Sequence, residues 1–303
     1  MGKRVWMMAL LAGIVVVLTV TGASAAEKRI LFLSTSETFP HGPIVQTDGK
    51  PSVADEALAK LAKELGATFT TTKDASQINA ENLKNYDLVI FYTQGDLTKP
   101  NKEGAPVIGP NGGADLIAWV KNGGGFMGFH SATDSFRGEG VTPYIGMIGA
   151  EFRGHGGQFV GTVQVVDPTH PVMAHVPNNW AINEEWYLFD KFNTGAMRVL
   201  ALLEPGNERT VQESYNIPAY PIIWVRTMEK GRVYYSALGH REDIWTNPDV
   251  QKAVTDAIRW TWGEGEAKAD PNFDAVVPKT KPGETPTAES APKEKKAKRE
   301  SRQ

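Results

Sequence analysis

Histidine is the residue type best placed to carry chemistry in this chain of 303 residues, because there are only six and there is no cysteine. Without a thiol there is no cysteine nucleophile, thiolate ligand or disulfide. Four of the six lie just after an apolar run or in a glycine-rich turn. His41 follows the first such run, and His130 closes Gly123-Gly124-Gly125-Phe126-Met127-Gly128-Phe129-His130. His155 stands in Gly154-His155-Gly156-Gly157, and His240 in Ala237-Leu238-Gly239-His240. An imidazole so placed serves as a general acid or base, or as a metal ligand through a neutral ring nitrogen. His130, His155 and His240 are therefore candidate ligands for a divalent transition metal, zinc or manganese. His170 and His175, in and beside a Pro-bounded turn, read as structural.

Carboxylates are the second resource. In Glu184-Glu185-Trp186-Tyr187, adjacent side chains on a strand point to opposite faces, so one of the pair can serve a site, and the expectation is Glu185. Asp134 is a supporting candidate, and Arg153 or Arg241 could hold a carboxylate or a hydroxyl pair. Trp186 and Trp245, with Trp180 and Trp224, are candidates to line a sugar cleft. No P-loop, dinucleotide fingerprint or His-Glu-x-x-His zinc motif occurs, so no nucleotide cofactor is expected.

The elements that must position these groups read as alternating strands and helices. Arg29–Ser34 is an apolar run that suits a buried parallel strand, and Ala67–Thr72, Asp87–Tyr92 and Gly124–Phe129 read as the next three strands. Ser52, with Asp55 three residues on, predicts a helix start; Leu58, Leu61, Ala62 and Leu65 follow at helical spacing, and Gly66 closes it. Ala114–Asn122 and Pro248–Trp262 read as further helices. Thr162–Val166, Arg198–Leu203, Ile222–Val225 and Arg232–Ala237 read as strands. The pattern predicts an α/β fold with a mostly parallel sheet, whose sites lie beyond the carboxyl ends of the strands. At that rim, His130 occupies a layout like a nucleophile elbow, in which glycines allow a sharp turn that presents one side chain.

Residues 1–26 read as a secretion signal. Lys3 and Arg4 precede an apolar run of 16 residues, Val5–Val20, and Ala23-Ser24-Ala25 supplies a small-x-small cleavage pattern. The run is shorter than the roughly 20 residues that span a bilayer, so no stable membrane span is expected. The protein is then exported, to periplasm or exterior, and loss of Lys3 and Arg4 takes the net charge from −3 to −5. A mildly acidic chain is unsuited to binding nucleic acid. Residues 264–303, rich in alanine, proline, lysine and glutamate, read as a disordered charged tail. The folded domain is expected over residues 27–263.

The segments Gly123–Asp134, Gly149–His155, Glu184–Tyr187, Pro221–Trp224 and Tyr235–His240 with Trp245, in this order and spacing, resemble the ThuA-like (trehalose utilisation) family. The resemblance spans about Arg29 to Gly263. It implies a flavodoxin-like three-layer sandwich related to class I glutamine amidotransferases, with His130 at the place where those enzymes hold a cysteine. A glutaminase mechanism is excluded, since no thiol exists to form the thioester. Phe39-Pro40-His41 departs from the family's run of aromatic, basic residue and histidine.

The resemblance also implies work on keto-sugars or 3-keto-glycosides, by lyase, hydrolase or isomerase chemistry. A ketone at C3 acidifies neighbouring C–H bonds, and a cation stabilises the enediolate left when a base removes the proton. On this reading His130, His240, Glu185 and Asp134 are catalytic, and His41, Arg153, Trp186 and Trp245 bind a small sugar or glycoside. The competing reading is a non-catalytic carbohydrate-binding protein on the same scaffold. A homo-oligomer is compatible with either.

Overall fold

Short apolar runs in the first half of the chain become the strands they predict. The structure, a computed structural model, describes residues 27–284. The expected secretion signal, residues 1–26, and the basic run Lys293–Arg302 lie outside the described residues. In chain order the strands are β1 (Arg29–Leu33), β2 (Thr68–Thr72), β3 (Leu88–Phe91), β4 (Gly125–Phe129), β5 (Glu151–His155) and β6 (Phe159–Val165). They continue with β7 (Asn179–Glu184), β8 (Tyr187–Asp190), β9 (Arg198–Glu204), β10 (Tyr220–Met228) and β11 (Gly231–Ser236). Among the described residues, nine form one sheet in the order β2-β1-β3-β4-β11-β10-β9-β6-β7, and β5 pairs with β8 in a second sheet.

The sheet is mixed with mostly parallel strands. β2, β1, β3, β4 and β11 pair in parallel, and antiparallel pairings follow through β10, β9, β6 and β7. Seven of the nine therefore run the same way, with β10 and β6 reversed. Helices cover both faces. Gly125 and Gly128, an odd number of residues apart on β4, face opposite ways. A Cβ on Gly125 would lie 2.7 Å from Thr261 O of the helix Pro248–Thr261, and one on Gly128 would lie 2.8 Å from Ile148 of the helix Pro143–Ile148. The three layers are thus pinned where β4 delivers His130.

The helix Val53–Glu64 begins as its sequence predicts. Ser52 Oγ accepts the Asp55 N–H and the Asp55 carboxylate accepts the Ser52 N–H, a reciprocal capping box. Leu58, Leu61 and Ala62 are buried. No helix among the described residues is long and apolar enough to cross a membrane.

Two parts of the chain differ from the sequence reading. β5, β7 and β8 were not delimited from sequence, because polar residues, and in β5 a glycine, leave each without a continuous apolar run. The chain also stays packed beyond residue 263. Asn272 exchanges hydrogen bonds with the backbone of Val199, Arg232 donates to the carbonyls of Glu264 and Gly265, and Phe273, Val276 and Val277 pack on the core. These few apolar residues were too sparse to signal burial; they dock where the start of β9 runs past its β6 partners and leaves the Val199 backbone for Asn272 to pair.

Candidate functional site

The carboxyl ends of β4 and β11 bring two histidines together. His130 takes a left-handed backbone angle, φ 43°, which a non-glycine residue holds only where its surroundings fix it. Here Tyr235 Oη donates to His130 O at 2.7 Å, and His130 Nδ1 donates to Ala237 O at 3.0 Å. The ring is fully buried against Tyr187, with 3.9 Å between centroids. Because Nδ1 carries the proton, Nε2 presents a lone pair to the site.

His240 is set by the peptide before it. Gly239 has φ 129°, an angle that favours glycine. Its carbonyl accepts hydrogen bonds from Tyr92 Oη and Trp245 Nε1, both at 3.0 Å. His240 Nδ1 then lies 3.2 Å from His130 Nε2.

The carboxylate arrives from the far edge of the sheet. Residues Gly161 to Phe159 of β6 and Ile182 to Glu184 of β7 stay paired beyond the last β6–β9 partner, Thr162 with Glu204. The overhang ends at Glu185, the turn from the large sheet into β8 of the small one. Glu185 Oε2 lies 3.1 Å from His240 Nδ1 and 3.5 Å from His130 Nε2, and Oε1 lies 3.3 Å from His155 Nδ1. Burial alone would raise the Glu185 pKa, but the close contacts with the His130 and His240 rings outweigh it and hold the group well below the carboxylate range.

His41 completes the group. It is buried, Nε2 lies 3.3 Å from Tyr187 Oη, and Nδ1 has no hydrogen-bond partner. Burial first, then the neighbouring His130 and His240, drive its pKa down to about 2; burial also lowers that of His130. Both rings are therefore neutral, the form that ligates metal. One donor atom each from His41, His130, Glu185 and His240 lies within 4.8 Å of the others, so the group could hold a metal ion. Ligands about 2.1 Å from a tetrahedral zinc stand about 3.4 Å apart; the separations of 3.1 to 3.5 Å fit that spacing.

The remaining candidates separate by position. His155 stands outside this group, more exposed than the others, with Nδ1 2.8 Å from Gly156 O. Asp134 does not join it either: its carboxylate accepts Gln94 Nε2 and Arg137 Nη1, both at 2.9 Å. Gln94 Oε1 in turn accepts the N–H groups of Thr38 and Phe39. Asp134 therefore steadies the loop that carries His41. Arg153 is exposed on the small sheet, 3.8 Å from Asp190.

Trp186 and Trp245 line no open cleft. Both are buried; Trp186 Nε1 donates to Phe159 O, and Trp245 holds Gly239. Their indoles are core with one polar handle each. The aromatic that is exposed, the only one among the described residues, is Phe39, whose ring meets His41 edge-on at 5.0 Å. Tyr187, at the heart of the site, was visible only as a member of the Glu-Glu-Trp-Tyr run. A depression of about 420 Å³ opens beside His240, lined by Gly42, Pro43, Gln158, Arg241 and Asp243 among others, within the size range of small-molecule sites.

A sequence model of the ThuA family, described as trehalose utilisation, matches residues 29–261. The chain belongs to the ThuA family. Solved ThuA-like proteins share its architecture. One from Bacteroides uniformis is 21% identical, with a TM-score of 0.58 over 81% of this chain and 94% of its own. Another from Parabacteroides merdae is 14% identical, with a TM-score of 0.60 over 78% and 90%. No curated protein matches the chain by sequence. The expected α/β sandwich is thus the fold of this ThuA protein, and its family is one of carbohydrate utilisation.

Proposed function

We propose that this ThuA protein is an exported enzyme that processes a keto-sugar or 3-keto-glycoside, taking a proton beside the carbonyl with help from a zinc or manganese ion. Export is supported by the basic start, apolar run and Ala23-Ser24-Ala25 at residues 1–26. The sugar class is supported by the family. The observation that carries the chemistry is the convergence of His130 Nε2, His240 Nδ1 and Glu185 Oε2 within 3.5 Å, with His155 beside them on the solvent side.

Roles follow from burial. His41, His130, His240 and Glu185 would hold the ion. When bound, it supplies a positive charge that stabilises negative charge developing on a neighbouring carbonyl oxygen. His155 is the proton carrier, because Nδ1–H donates to Gly156 O and the opposite nitrogen is left as the base. In a 3-keto-glycoside it would take the C2 proton; the C1–O bond breaks, C1=C2 forms, and the departing oxygen regains a proton from the imidazolium. Phe39, exposed beside His41, offers a flat apolar face for the sugar ring.

Metal content and product formation test this together. Expected are near one equivalent of zinc or manganese per chain and metal-dependent release of aglycone from a methyl 3-keto-glucoside. Saturable glycan binding with no product and no metal would replace the enzyme with a carbohydrate-binding protein.

A further inference from the structure

Glu184 is left over by these roles, yet it is the more deeply buried of the two adjacent glutamates, with no exposed surface. An ionisable group is buried at a cost of several kcal/mol unless its oxygens are satisfied. Each is satisfied by one backbone N–H. Oε1 accepts from Glu185 N at 2.7 Å and Oε2 from Gly239 N at 2.8 Å. One N–H belongs to the residue whose side chain enters the histidine group, and the other immediately precedes His240. A single carboxylate thus joins the end of β7 to the loop after β11, two segments that share no strand pairing.

We infer that Glu184 is a positioning residue: it fixes the spacing between Glu185 and His240, and so sets the affinity of the group for a divalent cation. The inference rests on reading that group as a cation site. Alternation on β7 explains the division of labour. Glu184 turns toward the Gly239 loop and Glu185, past the strand end, toward the histidines. Tyr92 and Trp245 grip the Gly239 carbonyl, so Glu184 supplies the hold on the amide side of the same residue.

Glu184→Gln is the informative change, because it is isosteric but leaves one acceptor oxygen for two N–H donors. Titration with zinc chloride alone is expected to show affinity about 10- to 100-fold weaker than wild type, the loss typical of an outer-shell partner. The metal-free melting temperature should fall, because one buried N–H loses its acceptor. Zinc is therefore titrated at a temperature where both proteins are fully folded, and the affinity loss in the folded variant is what a merely structural role would not produce. Zinc affinity equal to wild type would overturn the inference. A crystal structure of Glu184→Gln supplies a readout independent of metal. The Glu185 Oε2 to His240 Nδ1 separation should lengthen beyond 3.1 Å, and an unchanged separation would overturn the inference even if the wild type bound no zinc. Should the glutamine variant fail to fold, Glu184→Asp, which keeps both oxygens on a shorter stem, is measured the same way with the same expectations.

Discussion

His130 Nε2 and His240 Nδ1 face each other across 3.2 Å, although 110 residues separate them in the chain. His130 Nδ1 is committed to the Ala237 carbonyl, so its other nitrogen is an acceptor. Replacing either ring by alanine should lower zinc affinity by more than about 100-fold, since each removes one of few ligands. His130→Ala should also cost about 1–3 kcal/mol of stability, because it strands the buried Ala237 carbonyl. Elemental analysis and urea unfolding of both variants check the pair, and full metal content in either would remove that histidine from the ligand set.

His155 separates binding from proton transfer. His155→Asn should retain the metal while turnover falls about 10²- to 10⁴-fold, the range of a lost general base. Parallel metal assays and initial rates decide it. Loss of metal together with activity would make His155 a ligand instead.

Phe39 should affect substrate and nothing else. Its backbone is held by Gln94, so truncating the ring leaves the loop in place. Phe39→Ala is expected to raise KM by up to about tenfold, in line with aromatic contacts worth about 0.5–1.5 kcal/mol, with metal content unchanged. Steady-state kinetics on one sugar series would show it, and an unaltered KM would rule out stacking.

A pH effect on stability arises far from the site. His170 is buried, and its Nδ1 accepts the Val172 N–H as a helix cap. Burial, partly offset by Asp167 and aided by Arg198 and Lys268, lowers its pKa from 6.5 to about 4. The unfolded chain binds this proton before the folded one does, so stability is fully present above about pH 6.5 and is lost as pH falls toward 4. The slope approaches about 1.4 kcal/mol per pH unit within that window. His170→Asn keeps a capping acceptor without a titration, and urea unfolding from pH 7 to 4 should show a flatter curve. An identical slope would assign the acid sensitivity elsewhere.

The parts of the fold readable from sequence were those with a strong period or a local signature. Ser52 with Asp55 marked a helix start, and the apolar runs marked β1, β3 and β4 because strands buried on both faces need no alternation. The elbow at His130 was readable from its glycines, one of which lets Ile148 approach the strand. What could not be read was set by distant partners. β5 and β8 exist through each other, in a register broken between Phe152 and Gly154. Glu184 and Glu185 could be told apart only in orientation, since the partner that occupies Glu184, the Gly239 amide, lies 55 residues away. The tryptophans misled for a related reason: indole suits a sugar cleft and a core equally, and only packing decides. His41 was expected among sugar-binding residues; its burial beside His130 comes from Asp134 and Gln94, which steady its loop from another strand's end.

The turn at Glu185 joins the large sheet to the small one, so His130 and His240 are carried by one body and Glu185 by the seam between two. An ion held there would act as a rivet across that seam. Its ligands would then tie the end of β7 to the ends of β4 and β11, strands with which β7 shares no pairing. The same rivet would make the loaded protein more resistant to unfolding than the empty one.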